Sequence, residues 1–341
     1  MSEAESAELV ARFAKAPTLE ALPDLIDIRL EVPPNPPEDI QVKFAGLSYE
    51  NAYAEAASFV EAADQFAAKH GSGGFQTLDR IIDFGSGWGR ITRMLLARVG
   101  PTHIHALDVD PQMTALINTT LPGVNALTVS YAPPTILGDG SVDAAVAFSV
   151  FSHLSGPAHE AWAAELGRLV DLGGVVAITV LDQAFFDQVA GAKAAVQSGT
   201  ADGFSASLAD CFDDVQVARA GYKAGEIQYA GTGGGEIRTG DYYGWAAAPA
   251  GYIERVWGAA GFRLVEWVPS GVLFQQALVL LVKEQDGGAQ GASDSLRAVA
   301  NRGKLGWPFA AGKLASALGR HVLRRARRIA GRVKARVASR P

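Results

Sequence analysis

Only one cysteine, Cys211, occurs in the 341 residues of this chain. A single thiol excludes a disulfide framework and fits a reducing compartment. Also missing is any uninterrupted apolar run near the roughly 18 residues that a membrane-spanning helix requires. The opening residues, Met1-Ser2-Glu3-Ala4-Glu5-Ser6, are acidic and polar, so no secretory leader is read there and a cytoplasmic location is expected. No internal repeat is present. One absence is local: between Arg297 and Arg340 there is no Asp or Glu among 13 Lys and Arg residues. Residues 1–296 therefore hold 17 of the 30 basic residues against all 36 acidic ones. That body repels nucleic acid and anionic membranes, while the tail attracts them. With 48% hydrophobic and 19% charged residues, the chain can bury a sizeable core in one large or two small domains.

The most informative segment is Ile81-Ile82-Asp83-Phe84-Gly85-Ser86-Gly87-Trp88-Gly89-Arg90. It reads as a short apolar strand with an acidic residue near its end, then glycines at alternate positions, then a helix over Ile91–Val99. Alternate glycines let the backbone turn sharply and leave room for a ligand beside the main chain. Dinucleotide sites carry G-x-G-x-x-G before a helix. Here the spacing is G-x-G-x-G, with Arg90 where the last glycine of that pattern would fall, which argues against a nicotinamide-dependent reductase.

This turn, with Asp83 two residues before the first glycine, resembles the first motif of the class I S-adenosylmethionine methyltransferases. Asp108, at the end of His103-Ile104-His105-Ala106-Leu107-Asp108, stands 19 residues after Gly89, where the family carries an acidic residue. A carboxylate there can accept hydrogen bonds from both ribose hydroxyls. Asp139-Gly140-Ser141-Val142-Asp143 and the apolar residues to Phe148 are similar to the family's turn into the fourth strand. Ser149 to Leu154, a helix containing Trp162, Glu165 and Leu169, and Leu172-Gly173-Gly174 before an apolar strand (Val175–Leu181) continue the same order.

The resemblance implies an α/β fold: a Rossmann-like, mostly parallel sheet with its last strand antiparallel. It also implies S-adenosylmethionine as the cofactor and no metal. Asp83, Gly85, Ser86 and Gly87 should border the methionine portion, with Gly89 allowing close approach. Asp108 should take the ribose and Val109 the adenine face. Tyr131 departs from the family, standing where many relatives carry an acidic residue that meets the adenine amine; an aromatic there stacks or donates instead. His153, after the fourth strand, is the candidate general base, and its pKa range suits that task. A histidine there equally caps a helix or packs under the cofactor. Arg90 either anchors a carboxylate or pairs with an acidic neighbour, the second being expected.

Residues 1–40 are read as an arm, 41–181 as the cofactor-binding core and 182–249 as an insertion. Residues 250–283 are read as the end of the sheet and 284–341 as a linker and tail. The arm carries a helix (Ala7–Lys15) and the connector Val32-Pro33-Pro34-Asn35-Pro36-Pro37, and a helix from Tyr49 to His70 leads into the core. The insertion opens with a helix, Gln183–Gln197. It then carries Gly231-Thr232-Gly233-Gly234-Gly235 and the cluster Asp241-Tyr242-Tyr243, expected to meet substrate as part of a lid. A surface elaboration with its own small core is the alternative. The chain should close with a helix (Tyr252–Ala260) and two strands, Phe262–Val268 and Gly271–Val282.

Methylation of cytosine carbon needs a cysteine nucleophile, and Cys211 lies far from the fourth strand in sequence. The Asn/Asp-Pro-Pro-aromatic motif of amino methylation is absent, since that position reads Phe148-Ser149-Val150-Phe151. The expected acceptor is an oxygen, in preference to a nitrogen, of a sugar, glycan or other small polar molecule. Ser149 to Leu154, Ala161 to Glu165 and Tyr242 to Trp257, with Gln275-Gln276 before the last strand, resemble bacterial methyltransferase domains of cell-envelope polysaccharide and glycosyltransferase pathways. In the tail, Leu314, Leu318, Val322, Ile329 and Val333 share one side of a helical projection, and Lys313, Arg320, Arg324, Arg327 and Lys334 the other. Residues 307–340 thus read as a basic amphipathic helix for the anionic inner face of the cell membrane. RNA contact and packing on a partner subunit are the alternatives, nucleic acid being the less expected partner. A non-catalytic scaffold that binds S-adenosylmethionine and an RNA-directed methyltransferase are the competing functions.

Overall fold

A computed structural model describes residues 3–18, 33–71, 73–235 and 237–285. Its strands are β1 (Ile81–Phe84), β2 (Ile104–Asp108), β3 (Asn125–Thr128), β4 (Val142–Ala147), β5 (Val170–Val180), β6 (Gln228–Ala230), β7 (Trp245–Ala247), β8 (Phe262–Val268) and β9 (Ala277–Lys283). Seven of them form one sheet in the order β3-β2-β1-β4-β5-β9-β8. The first five are parallel, and β9 runs antiparallel to both β5 and β8. That is the fold the sequence predicts, including the reversed strand near one edge.

Side chains alternate between two cores, as the two-residue period of a strand requires. Ile81, Ile104, Ala106, Val146 and Val175 face the helix α3 (Tyr49–His70), which buries Tyr53, Ala56, Phe59, Val60, Ala63 and Phe66 at three- and four-residue spacing. Ile82, Phe84, Leu107, Ala145 and Ile178 face Trp162 and Leu166 of the helix α6 (Gly156–Leu169) and Trp257 of α10 (Ala250–Ala259).

The arm is anchored by polar contacts. The helix α1 (Glu3–Ala14) sets Phe13 against Tyr53, with ring centroids 5.3 Å apart. The buried Asn35 amide donates to Phe13 O at 2.9 Å and Ala16 O at 3.1 Å, and the Tyr53 hydroxyl donates to its Oδ1. Arg93, fully buried, donates to the carbonyls of Pro33 and Pro34, so the proline run serves as a row of acceptors. The short helix α2 (Glu38–Ala45) follows.

The arm helix begins at Glu3 rather than Ala7 and the helix before the last two strands at Ala250 rather than Tyr252, and three further elements differ from the sequence reading. The helix after the glycine turn, α4, covers only Arg90–Leu95, because the next bonds are i to i−3 (Ala97 to Met94, Arg98 to Leu95) and Arg98 is anchored on Glu61 and Asp64 of α3. The fifth strand begins at Val170 rather than Val175, since Gly174 lets the chain continue past Asp143 O where a Cβ would lie 2.6 Å away. The last strand begins at Ala277 rather than Gly271. Gly271 adopts φ +81° and its N–H closes a turn on Phe274 O at 2.6 Å.

The insertion has a core of its own and also reaches over the sheet. Its helices are α7 (Ala184–Ser198), α8 (Gly203–Ala209) and α9 (Val215–Lys223). They bury Phe185, Phe186, Val189, Leu208, Cys211 and Val215 together with Leu181 and Ala247. β6 and β7 then pair antiparallel and carry a loop back to the carboxyl ends of the parallel strands. No helix among the described residues is long and apolar enough to cross a membrane. The predicted amphipathic segment, 307–340, lies outside the described residues.

Candidate active site

β1 and β2 end side by side, and the glycine turn is fastened to the second by its backbone. The N–H groups of Gly85 and Ser86 both donate to Leu107 O, at 2.7 and 3.0 Å. Gly85 has φ +74°, and a Cβ there would lie 2.2 Å from Val150 Cγ2, so only glycine fits. Gly87 N–H donates to Asp108 Oδ2 at 2.7 Å, and Asp110 N–H to Asp108 Oδ1 at 2.8 Å. Asp108 thus holds the turn and still has lone pairs for a ligand. Val109 follows it, half-buried. Gly89 forms the N-terminal cap of α4 with its own N–H on Ser86 O. With six residues, α4 is too short for its dipole to carry the site.

Asp83 is buried on β1 and accepts from the Thr92 hydroxyl at 2.5 Å. Burial pushes its pKa up to about 7; the Thr92 hydrogen bond opposes this and the nearby Asp108 adds to it. Burial raises Asp108 as well, against the Asp110 and Gly87 N–H groups and Arg238. Ser86 Oγ is buried beside them without a hydrogen-bond partner. Two desolvated carboxylates and an unused hydroxyl at a glycine turn suit a ligand with a cationic end and ribose hydroxyls.

Arg90 takes the structural role expected of it. It pairs with Glu55, donates to Ala52 O at 3.3 Å and lies 4.9 Å over the Phe148 ring.

The insertion loop closes over this turn. Arg238 stands at a tight turn where Gly234 N–H donates to Arg238 O at 2.7 Å. Its guanidinium lies 3.7 Å from Asp110 and 4.0 Å from Asp108, and covers the Phe44 ring of α2 at 4.8 Å. Sequence reasoning missed Arg238; its one signal is a lone basic residue in a glycine-rich loop. Tyr242 is buried and stacks on the half-exposed Tyr131 at 5.0 Å, its hydroxyl bonded to Ile237 O. Tyr131 therefore borders the insertion loop. Asp241 is exposed and accepts from the Thr239 hydroxyl.

Tyr243 lies 5.8 Å from the Arg238 guanidinium and stacks on His153, centroids 4.9 Å apart and planes within 10°. Trp245 covers another side of the imidazole at 4.8 Å, and the exposed Phe204 lies beyond it at 6.3 Å. His153 Nδ1 is 2.7 Å from Gly244 O, while Nε2 is 3.4 Å from Ser149 Oγ. A carbonyl accepts only, so Nδ1 carries the hydrogen and Nε2 the free lone pair. Burial pushes the His153 pKa down to about 4; the Gly244 bond opposes this and Arg238 adds to it.

Ser149 adopts φ +59° at the end of β4 and donates its N–H to Thr179 Oγ1 at 2.7 Å. Its hydroxyl accepts from Gln276 Nε2 at 2.8 Å. Gln276 reaches this end of the sheet because β9 is antiparallel and starts where the parallel strands finish. Sequence reasoning named Gln276 only within a resemblance, since its partner is 127 residues away.

Residues 81–174 match the model of a methyltransferase domain. No curated protein sequence matches the chain. Solved structures of similar fold include the 1,6-didemethyltoxoflavin-N1-methyltransferase of Burkholderia thailandensis, at 14% identity over 72% of this chain and 86% of that one, with a TM-score of 0.43. The magnesium protoporphyrin IX methyltransferase of Synechocystis matches at 12% identity over 72% and 94%, TM-score 0.45. An amino pentose methyltransferase of Micromonospora echinaspora matches at 15% over 72% and 95%, TM-score 0.42. The family match, the strand order and the paired carboxylates at the glycine turn identify residues 81–174 as the core of an S-adenosylmethionine-dependent methyltransferase.

Proposed function

We propose that the enzyme methylates an oxygen of a sugar, glycan or other small polar acceptor, with His153 as the general base. The observation that carries this reading is the 2.7 Å contact of His153 Nδ1 with Gly244 O: a carbonyl accepts only, so the neutral ring carries its hydrogen on Nδ1 and turns an unprotonated Nε2 toward Ser149. An oxygen nucleophile needs such a group, because an alcohol stays protonated at neutral pH.

S-adenosylmethionine, when bound, supplies a methyl group already made electrophilic by a sulfonium. Asp83, Gly85, Ser86 and Gly87 would hold its methionine end, Gly89 would allow its approach, Asp108 would take the ribose, and Val109 and Tyr131 would border the adenine. Tyr242, Tyr243 and Arg238 would exclude water above it. Trp245 and Phe204 offer an aromatic surface beside the polar groups of Ser149, His153 and Gln276, a lining that suits a ring with hydroxyl edges. Asp241 is the lid residue free to contact such an acceptor from outside.

A cell-envelope glycan is the acceptor class this reading favours, and the 13 basic residues from Arg297 to Arg340 would hold the enzyme at the anionic inner face of the membrane.

The test is transfer of labelled methyl from S-adenosylmethionine to a pool of monosaccharides, nucleoside diphosphate sugars and envelope glycans. Alkali-stable label on sugar, lost in His153→Ala while S-adenosylmethionine still binds, is the expected result. Binding without transfer to any acceptor supports a scaffold, and label in added RNA supports the RNA-directed reading.

A further inference from the structure

Ser149 and Gln276 have no place in the cofactor turn, yet three features single them out. Ser149 holds a left-handed backbone conformation that non-glycine residues seldom adopt and that gathers at functional sites. It is fixed there from two sides, by Thr179 on its N–H and by Gln276 on its hydroxyl. The other end of the Gln276 amide, Oε1, is buried without a hydrogen-bond partner. Buried polar groups are normally satisfied, so an orphaned amide oxygen beside a reactive centre marks a site for a donor.

The polarity of this chain of groups follows from its first member. The Gln276 NH2 can only donate, so it occupies a lone pair of Ser149 Oγ and leaves the serine proton to point toward Ser152 Oγ or His153 Nε2, each a long 3.4 Å away, or to be offered to a ligand. His153 Nε2 stands 3.4 Å from that oxygen and can only accept in the neutral ring. A separation of 3.4 Å is long for a direct hydrogen bond but lets one further oxygen sit within bonding distance of both atoms.

We propose that Ser149 and His153 form a two-point clamp for the acceptor hydroxyl, with Gln276 as the positioning residue that sets the direction of the Ser149 hydrogen. The acceptor oxygen accepts from Ser149 Oγ–H and donates to His153 Nε2, which leaves its remaining lone pair for the methyl group. In the step itself the acceptor O–H bond breaks and its proton goes to Nε2. An O–C bond forms, and the electron pair of the broken S–C bond stays on sulfur. The resulting imidazolium keeps its Nδ1–H on Gly244 O. Gln276 Oε1 takes a second donor, such as a neighbouring hydroxyl, so the clamp selects acceptors with adjacent hydroxyl groups over lone alcohols. This assignment rests on the oxygen-methyltransferase reading above.

The test compares wild type, Ser149→Ala, Gln276→Glu and the double variant Ser149→Ala/Gln276→Glu as full-length protein. Nitrogen-15 histidine spectra at pH 7 read the tautomer, and labelled-methyl transfer to the sugar pool reads turnover. Wild type should show His153 protonated at Nδ1 alone. Gln276→Glu reverses the first hydrogen bond, because a carboxylate accepts from Ser149, so it should lose as much transfer as Ser149→Ala, at least tenfold. The double variant Ser149→Ala/Gln276→Glu should lose no more than either single one. Each variant should keep its affinity for S-adenosylhomocysteine. Nε2 protonation in wild type overturns the clamp, as does transfer within twofold of wild type in Ser149→Ala or Gln276→Glu. Absence of transfer by wild type contradicts the oxygen-methyltransferase reading instead, and the histidine spectrum then decides the clamp.

Discussion

Nδ1 of His153 and the carbonyl oxygen of Gly244 lie 2.7 Å apart although 91 positions separate them in the chain. The loop that closes over the glycine turn is the same loop that selects the tautomer of the candidate base. Gly244 N–H also donates to His153 O at 2.8 Å, so the two segments are held by a reciprocal pair of bonds. The insertion loop and the candidate base are thus held as one mechanical unit.

His153→Ala should lower kcat by about 10²- to 10⁴-fold, the range for loss of a general base, with little change in S-adenosylmethionine affinity. His153 must be neutral to act. With burial holding its pKa down to about 4, its contribution to rate should persist from pH 8 to below pH 6 and fall only as pH approaches 4. Arg238 adds to that depression, so Arg238→Ala should move the His153 titration upward, read by nitrogen-15 histidine spectra.

Asp83 gives the opposite sign. Its pKa is raised to about 7 without a cationic ligand, and a bound cation returns it toward the ordinary carboxylate range. Binding of S-adenosylmethionine should therefore release a proton near neutrality. The affinity should be about tenfold weaker at pH 6 than at pH 8. Equilibrium dialysis at the two values checks this, and equal affinities would show that Asp83 does not face the cationic end.

His159 is fully buried among Phe151, Tyr252 and Trp257, where its Nε2 accepts from Trp257 Nε1 at 3.0 Å. Burial pushes its pKa down to about 3, below the unfolded value of about 6.5. The unfolded chain therefore binds a proton that the native state refuses, and stability falls as pH drops from 6.5 toward 3, at up to about 1.4 kcal/mol per unit. Asp83 opposes this slope between pH 7 and 4, since its native pKa is the higher one. The His159→Phe variant isolates the histidine part. It should lose about 1–3 kcal/mol at pH 7 through the orphaned Trp257 N–H, and less than wild type on going to pH 5. Urea unfolding at both pH values is the measurement.

The sheet was readable because parallel strands buried on both faces are short apolar runs punctuated by turn residues. Tyr49–His70 and Phe262–Val268 begin and end where their patterns do. The cofactor turn was readable for a related reason: Asp83, Gly85, Gly87 and Asp108 are contiguous or fall at a fixed spacing along adjacent strands. Arg238, Ser149 and Gln276 were not, because their roles arise from contacts between segments that no local pattern links. The helices of the insertion fill a core of their own, while Arg238 and Gly244 of its loop lie against Asp108, Asp110 and His153.

Gly85→Ala should be among the most damaging small substitutions. The new Cβ would meet Val150 Cγ2 at 2.2 Å and sit on a left-handed backbone. Adding Val150→Ala should relieve the clash but not the backbone strain of about 1–2 kcal/mol. Thermal unfolding of the single and double variants should therefore show partial rescue only.

The most direct test of the whole account is isothermal titration of the protein with S-adenosylmethionine, S-adenosylhomocysteine and NADH, with Asp108→Ala as control. The site described here predicts binding of the first two in the micromolar range, roughly −8 kcal/mol, lost or greatly weakened in the variant, and no binding of NADH. Binding of NADH alone, or S-adenosylmethionine binding that is indifferent to Asp108, would contradict it.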